Sequence, residues 1–124
     1  MPPGQEYCAS DFACPISDRN AKHDVVPVDT DRVLERVARM SINEWSYNDV
    51  DPSARHIGPM AQDFHAAFQT GVSDKCIPTV DANGVALAAI QALYRRVEHI
   101  DEETRALRQE NAELHRELDR LRAR

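Results

Sequence analysis

Residues 85–124 read VALAAIQALYRRVEHIDEETRALRQENAELHRELDRLRAR, and this stretch decides the fold. It holds neither Gly nor Pro, and its apolar residues keep a seven-residue rhythm. Ile90, Leu93, Val97, Ile100, Leu107, Leu114, Leu118 and Leu121 fall at alternating steps of three and four, with Thr104 and Asn111 completing the series. A spacing of 3.5 residues keeps one stripe of a helix facing a partner helix, so the stretch predicts a coiled coil. Arg96 and Asp101, Glu103 and Arg108, Glu110 and His115, and Glu117 and Arg122 occupy successive g and e positions. In a parallel, in-register assembly each g residue meets the following e residue of a neighbour, and each pair here is of opposite or potentially opposite sign. Asn111 at an a position lowers stability and fixes register. Asn at a with Leu at d favours two strands, whereas Ile90 at a and Ile100 at d favour more, so the seam leaves the strand number open. The competing reading is a solvated single helix laced with ion pairs; a row of exposed Leu argues against it.

Composition narrows the rest. The chain has 124 residues and a net charge of −6, with 15 basic residues interspersed among 21 acidic ones. No basic patch or basic–aromatic array points to nucleic acid, and no apolar run reaches the roughly 20 residues that span a bilayer. The N-terminus lacks the charged and apolar regions of a signal peptide. Without its tail the chain keeps about 85 residues, enough for one modest core. Cys8, Cys14 and Cys76 lack zinc-site spacing; Cys8 and Cys14 are close enough to close a small loop, but a reduced state is the simpler expectation. The five histidines are scattered, so neither a metal nor another cofactor is expected.

Along the chain, residues 1–16 read as an irregular linker or the remnant of an upstream segment. Val25-Val26-Pro27-Val28 reads as extended. Asp29-Thr30-Asp31 supplies caps for a helix over 31–40 that buries Val33, Leu34, Val37 and Met40. Residues 42–48 read as a strand with Trp45 and Tyr47 on one face. A turn over 48–53 follows, and Gly58-Pro59 reads as the start of a second helix with Met60, Phe64 and Phe68 inside and Gly71 at its end. Ile77 to Val80 reads as a short strand, and Asp81-Ala82-Asn83-Gly84 as a turn into the last helix. The division is therefore 1–16, a body over 17–84 and the coil over 85–124.

Chemistry concentrates in Ser17-Asp18-Arg19-Asn20-Ala21-Lys22. A serine hydroxyl becomes a strong nucleophile when a base takes its proton, and a neutral lysine amine can be that base. Burial or neighbouring cations such as Arg19 favour the neutral form. Residues five apart lie about 140° apart around a helix and on opposite faces of a strand. A bend must therefore bring Ser17 to Lys22, or Lys22 must reach another subunit. By spacing alone, Ser-Asp before a polar run is more often a turn or cap than a catalytic pair.

The string Ser17-Asp18-Arg19-Asn20-x-Lys22, followed by Val26-Pro27-Val28-Asp29, Val33-Leu34, Val37-Ala38 and Trp45-x-Tyr47, resembles the intramolecular chaperone of phage tail fibres and endosialidase tailspikes, the family classed as peptidase S74. So does Arg55-His56-Ile57-Gly58-Pro59-Met60-Ala61-Gln62-Asp63-Phe64, and so does Asp81-x-x-Gly84-Val85-Ala86-Leu87-Ala88-Ala89-Ile90-Gln91-x-Leu93. The resemblance implies an α+β fold, mainly helical, whose small globular body carries a long C-terminal helix forming a parallel trimeric coiled coil. It implies a homotrimer whose client is an upstream fibre or tailspike segment, folded and then released by self-cleavage. Ser17 matches the nucleophile, Lys22 the base, and Ser17–Asp18 the cut bond. Assembly would take place in the cytoplasm, the parent fibre ending on a virion or cell surface.

Other residues carry two readings. His56 either polarises the scissile carbonyl or orients Lys22, or, the favoured reading, is a buried structural histidine or a contact to the client. Gln62 and Asp63 either take part in catalysis or cap and pair with Arg55. Only 16 residues precede Ser17, so a fibre client is absent from this sequence. Ala21 stands where relatives commonly carry a larger apolar residue. Three functions follow: a self-cleaving trimeric chaperone, a trimerising module without proteolysis, and a two-stranded adaptor.

Overall fold

The computed structural model describes residues 16–124; the expected linker, together with Cys8 and Cys14, lies almost entirely outside them. A single 3-10 turn, Arg19–Ala21, comes first. Then follow α1 (Thr30–Arg39), β1 (Asn43–Trp45), β2 (His56–Gly58), α2 (Ala61–Phe68) and α3 (Thr79–Arg122). The described chain is mainly helical with one two-stranded sheet.

Helix α1 forms where the cap residues place it. The Asp29 carboxylate accepts from the Arg32 amide at 3.1 Å, Asp31 lies in the first turn, and Arg36 and Arg39 lie in the last, matching the helix dipole at both ends. Its inner face buries Val33 against Ala88 and Ala89 of α3, with Leu34, Val37 and Val85 around them. The alanines let the two helices approach closely. At the other end of the contact, Arg95 Nη2 donates to Thr30 Oγ1 at 2.6 Å. The start of α1 thus meets Arg95 while its later residues meet Val85, so the helices run antiparallel. Arg36 donates to the Ala67 carbonyl near the end of α2, where carbonyls lack intrahelical partners. Phe64 is the buried residue of α2, its ring 4.9 Å from Phe68.

The structure departs from the expected elements in three places. The strand over 42–48 shortens to Asn43–Trp45 and pairs antiparallel with His56–Gly58, a strand that sequence reading missed, in the register Asn43↔Gly58, Glu44↔Ile57 and Trp45↔His56. Pro59 therefore follows a strand, and α2 begins at Ala61 after Met60, which makes no side-chain cap. Residues 77–84 hold neither strand nor turn: α3 already starts at Thr79 and runs 44 residues, about 66 Å at 1.5 Å per residue. The reason is tertiary. Asp81 sits favourably in the first turn, and packing of Val85 and Ala88 on α1 outweighs the poor helix propensities of Asn83 and Gly84.

A Cβ at Gly84 would meet no atom within 4 Å, so only backbone entropy opposes the helix there. Gly84→Ala is expected to stabilise the fold by about 0.5–1 kcal/mol, read as a rise in thermal midpoint by circular dichroism. An unchanged or lower midpoint would mean that Gly84 is needed for a contact of its own. Gly71 differs: its φ is +76° and a Cβ there would crowd Pro78 and Asp81 at 3.4 Å.

The seam faces solvent in the single chain. Ile90, Leu93, Val97, Ile100, Leu107, Leu114, Leu118 and Leu121 are each about half exposed, from 48% to 60%; Thr104 is partly covered and Asn111 exposed. Arg96, expected to reach a neighbour's Asp101, instead lies 4.0 Å from Asp31 and 3.8 Å from Glu35 of its own α1. Cys76 is disulfide-bonded, against the expected reduced state.

Candidate Ser–Lys site

The 3-10 turn is a local construction. Asp18 caps it, its carboxylate accepting from the Asn20 amide at 2.9 Å. The Asp18 carbonyl accepts from the Ala21 amide at 3.0 Å, and the Arg19 carbonyl from the Lys22 amide at 3.3 Å. An Asp two residues before an Asn is a common source of such a bend, because its side chain bonds the backbone two residues on. Ser17 and Lys22 flank the turn. Fully extended, five residue steps would separate them by roughly 17 Å; with the turn between them, Lys22 Nζ donates to Ser17 Oγ at 2.6 Å.

The two groups that sequence reading singled out for their chemistry are therefore in hydrogen-bond contact within one chain. The line that carries the proton of the ammonium to the hydroxyl oxygen is the line along which a neutral amine would take the hydroxyl proton. Both side chains are exposed. The next residues, Val25, Val26 and Val28, are also exposed at 76%, 78% and 61%, and no regular element covers them.

His56 lies elsewhere, on the hairpin. Its ring stacks on Trp45 with centroids 4.9 Å apart and meets the edge of Tyr47 at 5.1 Å, while Tyr47 stands edge-on to Trp45 at 4.8 Å. It makes no hydrogen bond to Ser17 or Lys22 in the chain. Arg55 pairs with Glu44 at 3.4 Å and donates to Ser46 Oγ at 3.2 Å, not to Gln62 or Asp63. The Trp45 indole N–H is buried without a partner. Beyond the hairpin, Asp51 closes the 51–54 turn, and hydrogen bonds from the Ser53 amide and hydroxyl hold its carboxyl below the usual range.

Among the described residues no group of three or more His, Cys, Asp or Glu is placed to hold a metal ion, and no helix is long and apolar enough to cross a membrane. The reading of Ser-Asp as a turn or cap holds at Asp18, whose carboxylate caps the turn. Residues 17–73, just under half of the chain, match a family model whose description is chaperone of endosialidase. No curated protein matches the chain.

Proposed function

We propose, from the premise that residues 17–73 are a segment of the Peptidase_S74 family, that this chain is a C-terminal intramolecular chaperone. It trimerises through α3, assists the folding of an upstream fibre or tailspike segment, and releases itself by cleavage next to Ser17. The observation that carries this reading is the 2.6 Å contact between Lys22 Nζ and Ser17 Oγ, inside the matched segment. A turn capped by its own Asp18 has brought together the two residue types that the chemistry needs.

The steps follow from the geometry. Lys22, in its neutral form, takes the Ser17 hydroxyl proton, and the oxygen attacks a peptide carbonyl. The new amine leaves with the proton from Lys22, and water resolves the ester. We assign the cut to Ser17–Asp18. Attack by Ser17 on its own carbonyl would close a strained four-membered ring, so this bond calls for the Ser17 hydroxyl of a neighbouring copy. The Ile16–Ser17 bond is the one reachable in cis, through a five-membered ring. The mass of the product separates the two routes, since one new N-terminus is Asp18 and the other Ser17.

Exposure supplies the regulation. A lysine base works in its neutral form, which a water-filled site disfavours and burial promotes. Ser17 and Lys22 stand in solvent in the single chain, so packing against neighbouring copies is the event that dries the site. Cleavage then reports finished assembly and occurs once per chain. With the chaperone gone, the client has lost the part that guided it and cannot run its folding backward, a kinetic form of stability.

Intact mass and light scattering on one purified sample test this reading. The expected result is a trimer whose chains, weighed after reduction of the Cys76 disulfide, have lost residues 1–17. A trimer at full length favours the non-cleaving trimerisation module, and a dimer favours the adaptor.

A further inference from the structure

The exposed apolar residues of α3 form two rows. The first is the seam. The second is Val80, Leu87 and Tyr94, spaced by seven and 47%, 64% and 63% exposed. These are e positions of the heptad. From there on the same row reads Asp101, Arg108, His115 and Arg122. The opposite flank, the g row, reads Ala82, Ala89 and Arg96 before it turns to Glu103, Glu110 and Glu117.

Helix α1 packs over the adjoining c and f rows, at Val85 and Ala88, and reaches the g flank at Ala89 and Arg96. Ala89 is buried beneath it, and Arg96 reaches Asp31 and Glu35. The start of α1 lies at Arg95, where Thr30 accepts its hydrogen bond. So α1 lines one flank of α3 along the stretch where the other flank is apolar, and it ends where that flank becomes charged. In a parallel, in-register coil the g flank of one helix abuts the e flank of the next.

We infer that Val80, Leu87 and Tyr94 form a docking surface for α1 of a neighbouring copy. The inference rests on the parallel self-association proposed above. The edge of α1 that meets this surface carries Asp31, Leu34, Glu35 and Ala38, which share one side of the helix. The other side is taken by Arg36 and its bond to Ala67 of α2. Because α1 runs antiparallel to α3, with Thr30 at the level of Arg95, Ala38 comes level with the neighbour's Leu87 and Asp31 with its Tyr94, while Glu35 lies one turn from Asp31 on the same edge. Tyr94, one turn before Glu98 on its own helix, lies at the polar end of the surface. This contact fastens the body of one copy to the helix of the next. The dyad segment leads directly into α1, so seating α1 brings that segment against the neighbour.

Sedimentation equilibrium on the full chain tests the inference by sign. Tyr94→Glu faces Asp31 and Glu35 and is expected to weaken association at least tenfold, whereas Tyr94→Lys keeps it within about threefold of the parent. Leu87→Glu is expected to weaken it like Tyr94→Glu. Both residues are exposed in the single chain, and unchanged helix content by circular dichroism checks the fold. Oxidised Ala38→Cys/Leu87→Cys is expected to give covalent oligomers on a non-reducing gel that neither single variant gives. An assembled parent with equal effects from Glu and Lys at position 94, or with no cross-link, overturns the inference and leaves the coil standing. A monomeric parent at micromolar concentration overturns the coil and the inference together.

Discussion

Ser17→Ala leaves the chain at full length, and Lys22→Ala does the same, while both variants assemble as the parent does. The expected loss in cleavage rate is at least about 10³-fold for either, because nucleophile and base act as a unit and removing one disables the other. The double variant should be no slower than the worse single one. Lys22→Arg sharpens the test. A guanidinium still donates to Ser17 Oγ, replacing the 2.6 Å contact of the parent, but it stays protonated and cannot serve as a base. If Lys22 merely braced the turn, Lys22→Arg would cleave normally; as the base, it must fail. Ser17→Cys should keep a measurable rate, since a thiol is an intrinsically good nucleophile. Time-resolved intact mass reads all five variants. Cleavage persisting in Ser17→Ala at the parental rate would remove Ser17 from the chemistry.

What the sequence made legible, and what it hid, follows from how local each signal is. The α1 helix was legible because Asp29 caps it and Val33, Leu34 and Val37 mark its inner face, all within one segment. The long helix was legible from its rhythm, but its start was not. Asp-Ala-Asn-Gly is turn chemistry by composition, and only the packing of Val85 and Ala88 on α1, a long-range contact, makes it helical. Strand β2 was hidden for the same reason. Three residues ending in Gly-Pro carry no alternation, and the pairing of His56 with Trp45 supplies what the local sequence lacks. The dyad was legible as residue types and hidden as geometry. Spacing put Ser17 and Lys22 on different faces of any regular element, and the turn that overrides this is held by the Asn20 amide donating to the Asp18 carboxylate and by two backbone bonds. In the single chain α1 engages the g residue Arg96 through Asp31 and Glu35, a long-range contact that heptad spacing does not carry.

Placing a charge in the middle of the seam is expected to have the other large effect. Leu107 and Leu114 are 59% and 55% exposed in the single chain, so Leu107→Asp or Leu114→Asp removes no contact within the protomer and should leave the body and α3 intact. In a parallel assembly, however, the substituted residue of each chain falls in one layer. The layer then loses the transfer energy of every Leu it buried and confines like charges in a desolvated core. The loss is at least about 4 kcal/mol per assembly, a factor of roughly 10³ in association. Light scattering at micromolar concentration should therefore find single chains that keep the helical circular dichroism of the parent. The same variants connect assembly to chemistry, since each keeps Ser17 and Lys22 in their own chain. If packing between copies dries the dyad, cleavage must fall with association, and rise again when the protein is concentrated enough to reassemble. A dissociated Leu107→Asp that cuts itself at the parental rate would mean that one exposed chain suffices, and that the turn alone, without neighbours, makes Lys22 a base.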